Sequence, residues 1–151
     1  MKILMLFLAL LPLSLAAHEH HAPHGGQLVE LGEEFGHVEL LLDAGSGKLD
    51  AWVLDGEAEK AVRIKAKTLI LNLKAGKKVK TVVLKAVANP LTGETVGDTS
   101  QFGGLSPDLK GKAQFGGNVE SINLLGKTFK KAAFSYPAAQ EKGHGEEKKG
   151  R

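Results

Sequence analysis

The sequence predicts an all-β fold, an antiparallel sandwich or barrel-like domain of about eight strands. Three observations carry that expectation. Apolar residues recur at every second position through most of the chain beyond Gln27, short Gly-containing connections separate these runs, and helix is almost absent.

The elements follow in order. QLVEL (27–31) is the first strand. In GHVELLLDA (36–44), Val38, Leu40 and Leu42 share one face, while His37, Glu39 and Asp43 take the other. KLDAWVLDG (48–56) repeats the pattern, with Leu49, Ala51 and Val53 set against Asp50 and Trp52. DAGSGK between them reads as a hairpin turn. AVRIKA (61–66) is a further strand, followed by TLILNL (68–73) and VKTVVLKAV (79–87), joined across Ala75-Gly76-Lys77-Lys78. A short strand is expected around TSQF (99–102), and NVESINLL (118–125) and TFKKAAFSY (128–136) flank Gly126-Lys127. Ser106-Pro107-Asp108-Leu109 suits a single helical turn, with Ser106 as cap and Pro107 first inside it. SQFGG (100–104) and AQFGG (113–117) echo each other; Phe102 and Phe115 are expected as core anchors, and the glycines as bends or bulges. On this pattern Leu40 is buried and Glu39 is solvated.

The ends have a different character. MKILMLFLALLPLSLA has one early positive charge at Lys2, an apolar run from Ile3 to Leu13, and small residues at Ser14 and Ala16, the order of a cleaved secretory signal peptide. The expected division is a signal peptide at 1–16, a His-rich leader at 17–26, a β-sandwich domain at 27–137 and a disordered, charged tail at 138–151. Cleavage after Ala16 satisfies the small-x-small pattern, and cleavage after Ala17 fits it less well. The expected location is periplasmic or secreted, with no membrane-spanning segment once the leader peptide is removed. Loss of Met1 and Met5 from a chain without cysteine leaves no sulfur, so disulfides contribute nothing and a packed core must supply the stability.

Composition narrows the function classes. The net charge is +3 and is spread along the chain, and a single Trp and a single Tyr offer no stacking platform, so nucleic acid is not an expected partner. Ser46 sits in a Gly-Ser-Gly turn rather than at a strand-to-helix elbow. SINLLGKT (121–128) ends like a phosphate loop but lacks its first glycine and its helix. No His-Glu-x-x-His occurs, and Glu33-Glu34 and Glu57-Ala58-Glu59 read as acidic turns. An enzyme is therefore not expected.

Histidines carry the remaining chemistry. His18, His20, His21 and His24 fall within seven residues, and neighbouring imidazoles close round one ion with little loop entropy to overcome. His20, His21 and His24 could supply three nitrogens, with His18 or water completing the set. His37 lies on the outward face of its strand and reaches the leader if the first two strands pair. Without thiolate or thioether the candidate ions are Zn(II), Cu(II) and Ni(II). A chain beginning at His18 would also allow a square-planar amine, amide and imidazole set for Cu(II) or Ni(II) through His20, whereas one beginning at Ala17 would not. The other reading is an interaction module of the cell envelope whose histidines are incidental.

The stretch HAPHGGQLVELGEEFGHVELLLDAGSGKLDAWVLDG (21–56) resembles the short His-Gly-Gly β-module of periplasmic adaptor subunits of heavy-metal efflux pumps, and small secreted bacterial proteins that carry the module alone. The matching residues are His24-Gly25-Gly26, the strand beginning His37-Val38-Glu39-Leu40, and the closing Leu54-Asp55-Gly56. The likeness covers about a third of the expected mature chain, and the coiled-coil hairpin and lipoyl-like half of a complete adaptor are missing from the sequence. It implies an envelope protein concerned with metal handling, with a divalent transition metal, zinc or copper, as ligand and an efflux-system component as partner.

Overall fold

The structure, a computed structural model, describes residues 20–137. The signal peptide at 1–16, His18, His144 and the tail at 138–151 lie outside the described residues.

Eight antiparallel strands form one sheet: β1 (Gln27–Leu31), β2 (Gly36–Asp43), β3 (Lys48–Leu54), β4 (Thr68–Ala75), β5 (Lys78–Ala86), β6 (Gln101–Leu105), β7 (Phe115–Leu124) and β8 (Lys127–Tyr136). Their spatial order is β1-β2-β3-β6-β5-β4-β7-β8, and β1 comes alongside β8, so the sheet curls into a nearly closed barrel. No helix of the described residues is long and apolar enough to cross a membrane.

Alternation explains the inside. Val29, Leu31, Val38, Leu40, Leu49, Ala51, Val53, Leu69, Leu71 and Leu84 come from alternating positions and fill the interior with Phe102. Each fully buried leucine contributes about 1.5–3 kcal/mol. The three expected hairpins form with the turns the sequence marks: Asp43 faces Lys48, Ala75 faces Lys78, and Leu124 faces Lys127. At the seam, the Leu42 N–H extends past the end of β1 and donates to the Tyr136 hydroxyl at 3.1 Å. At the other end of the seam Phe35 tilts against Phe129, with the Lys127 ammonium over both rings.

The parity breaks once. Val119 and Ile122 of β7 are both buried, with Glu120 and Ser121 exposed between them, and β8 repeats the slip at Lys130 and Lys131, where Lys131 has φ +54°. Pairing continues on either side in unbroken register, so both strands turn over together and make a corner of the barrel.

Several sequence expectations are corrected. AVRIKA is not a strand: Ala61 bridges only Leu54 and Ile64 only Thr99 as the chain crosses from β3 to β4, with Ile64 buried. The TSQF strand lies slightly later, at Gln101–Leu105. The turn at Pro107–Leu109 is 3-10, and Ser106 precedes it without a side-chain capping bond. Phe102 is a core anchor, whereas Phe115 packs on the core from the rim. Of the repeated glycines, Gly117 permits close strand approach: a Cβ there would lie 2.1 Å from the Asn72 carbonyl oxygen. Glu39 is not solvated but fully buried, because residues 20–26 cover the outer face of the sheet above it.

Candidate metal-binding site

The outward rows of β1, β2 and β3 carry an unusual set of residues. Pairing aligns Glu30, His37 and Leu54 in one row and Leu28, Glu39 and Trp52 in the next. An outward row of an antiparallel barrel is normally solvated. Here His37, Glu39 and Leu54 are all buried.

The cover is the histidine-bearing segment, and Glu39 holds it down. The backbone N–H groups of His24 and Gly26 donate to Glu39 Oε1 at 2.8 and 2.9 Å, and His24 Nδ1 lies 2.7 Å from Glu39 Oε2. The carboxylate thereby exchanges water for three directed donors, the condition under which a buried charge is tolerated. The His24 ring stacks on Trp52, with centroids 3.9 Å apart and planes 9° apart. The double glycine acquires a physical reason. Gly25 has φ +76°, which side chains resist, and a Cβ on Gly26 would lie 2.4 Å from the Leu40 carbonyl oxygen.

Four residues upstream, His20 meets His37, with ring centroids 5.0 Å apart and planes inclined at 56°. Both are oriented by the turn after β3. His37 Nδ1 lies 3.1 Å from the Asp55 carbonyl oxygen, and His20 Nδ1 lies 3.2 Å from that of Glu57. A carbonyl only accepts, so each Nδ1 carries the hydrogen and each Nε2 of the neutral ring presents a lone pair. His20 Nε2 is buried and has no hydrogen-bond partner; its nearest carboxylate is Glu34 Oε1, at 3.5 Å on an exposed side chain. The turn itself is pinned by Asp55, whose Oδ1 accepts the Glu59 and Lys60 N–H groups at 2.9 and 3.1 Å. Burial works against ionisation of Asp55, but the Lys60 and Glu59 N–H donors and the Lys60 charge outweigh it and hold the pKa below the usual value.

The expected site residues therefore separate. His20 and His37 come together, His24 is bound to Glu39 in the next row, His21 is exposed, and His18 lies outside the described residues. Among the described residues no three His, Asp or Glu side chains already surround a common point. Sequence reasoning missed Glu39 and Trp52 as site residues. The available signal was the clustering of His37, Glu39 and Trp52 on adjacent outward rows, which marks a face with something on top.

Neutral imidazole nitrogens fixed through Nδ1–H···O bonds are the arrangement that holds histidines in ligating orientation. The unsatisfied His20 Nε2 fits a group that accepts a lone pair, and nitrogen with carboxylate oxygen suits Zn(II), Cu(II) or Ni(II). Comparison with protein-family models, curated proteins and solved structures finds no match.

Proposed function

We propose that this protein is a secreted or periplasmic binding protein for a divalent transition metal, zinc or copper foremost, which buffers the ion or passes it to an efflux-system component. The observation that carries the reading is the buried His20 Nε2 beside His37, without a hydrogen-bond partner and 3.5 Å from the Glu34 carboxylate, with both rings oriented by turn carbonyls. His20 and His37 supply two nitrogens, Glu34 a carboxylate oxygen, and water the remaining position. His24, anchored by Glu39 and Trp52, fastens the segment that carries His20. The barrel is a scaffold in this reading, with no catalytic role. The resemblance to the His-Gly-Gly module of efflux adaptors supports the same reading. His18 and His21 serve as additional donors that deliver the ion.

The reading is tested by titrating the chain with zinc and with copper(II) against a competing chelator. A one-to-one isotherm with nanomolar to low micromolar affinity is expected, with a loss of about 100-fold in a His20→Ala/His37→Ala variant. Unchanged affinity in that variant removes the pair from the mechanism. The second reading is an envelope interaction module with incidental histidines. Binding no tighter than that of an unstructured histidine peptide would select it.

A further inference from the structure

The inward row of β5 ends in lysine, at Lys80 and at Lys78 beside the turn, rather than in apolar residues. Val82 and Leu84 face the interior, and Lys80 continues their row directly opposite buried Leu73 of β4. An apolar side chain there would close the end of the barrel. Instead the Lys80 ammonium pairs with Asp108 of the 3-10 turn at 2.6 Å, with both side chains about half exposed. An ion pair so exposed contributes only about 0–1 kcal/mol, so stability gives little reason for lysine at this position.

The lysine borders a hollow of about 420 Å³ at the barrel mouth. Its floor is the buried pair Leu73 and Leu109, and Phe115 forms a wall. That ring is held in place by Tyr136, stacked at 4.7 Å, and by Phe134, edge-on at 5.9 Å. Lys74 and Lys112 join Lys80 in the lining, against the single carboxylate of Asp108. An apolar, aromatic-walled hollow with a cationic rim, within the roughly 300–1,000 Å³ range of ligand pockets, matches one ligand class. We propose that this end of the barrel binds a small amphipathic anion, an aryl carboxylate or sulfonate. Its ring lies on Phe115, and its charge sits among Lys74, Lys80 and Lys112. In the free protein Asp108 is the counter-ion that the ligand's anionic group displaces.

The probes are 8-anilinonaphthalene-1-sulfonate and its uncharged analogue N-phenyl-1-naphthylamine, titrated by fluorescence against the full chain. The sulfonate should bind saturably at one site per chain. Lys80→Met/Lys112→Met should weaken it about tenfold and leave the neutral probe unchanged, whereas Asp108→Asn should tighten it about threefold by removing the competing carboxylate. A loosened barrel would raise binding of both probes and at more than one site, so a tightening confined to the sulfonate at unchanged one-to-one stoichiometry separates recognition from misfolding. No saturable binding to the wild type, equal loss of both probes in the lysine variant, or no gain in Asp108→Asn would each overturn the proposal. The metal reading is unaffected by any of these outcomes, because none of the substituted residues touches the histidine site.

Discussion

Removing the Glu39 carboxylate tests the account of the outer face most directly. If Glu39 were a solvated strand residue, Glu39→Ala would cost under about 0.5 kcal/mol. The structure gives it full burial and three donors, two of them backbone N–H groups of the covering segment. Hydrogen bonds to a charged group contribute about 1.5–3 kcal/mol each, which would sum to about 5–9 kcal/mol if nothing compensated. Two effects reduce the sum. Deleting the carboxylate relieves its own desolvation, and residues 20–26 can lift away and return their donors to water. The expected net cost is about 2–4 kcal/mol, comparable to that of Leu40→Ala on the inner face. Glu39→Gln should behave differently. Its amide oxygen still accepts the two backbone N–H groups, but its NH₂ meets His24 Nδ1 and forces the hydrogen to Nε2. Urea unfolding followed by far-UV circular dichroism gives the cost, Trp52 fluorescence reports the stacked His24, and imidazole ¹⁵N spectra report the tautomer. A Glu39→Ala loss below about 0.5 kcal/mol with unchanged Trp52 emission would refute the claim that this segment is latched to the sheet.

Further outcomes follow from the same geometry. Leu40→Ala, at a fully buried interior position, should cost about 2–5 kcal/mol in denaturant unfolding, and a cost under about 1 kcal/mol would mean the barrel interior is poorly packed. Gly26→Ala forces a Cβ toward the Leu40 carbonyl oxygen and should release Trp52 from His24, seen as a change in emission, and should weaken metal binding without unfolding the barrel. Glu94 gives a pH signature. Burial opposes its charge, yet hydrogen bonds from Ser100 and Thr92 and the Arg63 charge hold its pKa below the usual carboxylate value. A depressed folded-state pKa means that its stabilisation is present above the unfolded value and lost as pH falls through the folded one. Glu94→Gln should therefore flatten the acid limb of the stability curve below about pH 4.5 and lower stability at pH 7. An acid limb identical to wild type would refute the assignment.

The strands were legible because the alternation is set by the side chains' own hydrophobicity. Leu49, Ala51 and Val53 have one way to hide together, and Gly76 and Gly126 mark where the chain must reverse. AVRIKA misled because Val62 and Ile64 do alternate, but they cover the crossing from β3 to β4 rather than extend a ladder. The site was only half legible. Histidine type and clustering single out the candidate residues, and pairing of β1 with β2 brings His37 near the leader as its position suggested. Glu39 was not legible as buried, because polarity alternation reports only which face a residue takes. What later lies on that face is decided by a segment thirteen and more residues away in sequence.

The strand order also has a kinetic consequence. β1, β2 and β3 form one meander, β5, β4, β7 and β8 form the other half, and along the hydrogen-bonded ladder only β6 joins them. That strand is five residues long, GG occupies two of its positions, and it pairs with residues some fifty positions earlier in the chain. The first half is a run of sequential hairpins, whereas the other half must dock the β4–β5 hairpin on the β7–β8 hairpin through non-local pairs such as Leu71 with Val119, and insertion of β6 adds a second non-local step that needs both flanking edges. Refolding should accordingly proceed on the millisecond-to-second scale of non-local β topologies. Substitutions such as Gly104→Val, which crowd β6 against β5, should slow refolding far more than they speed unfolding.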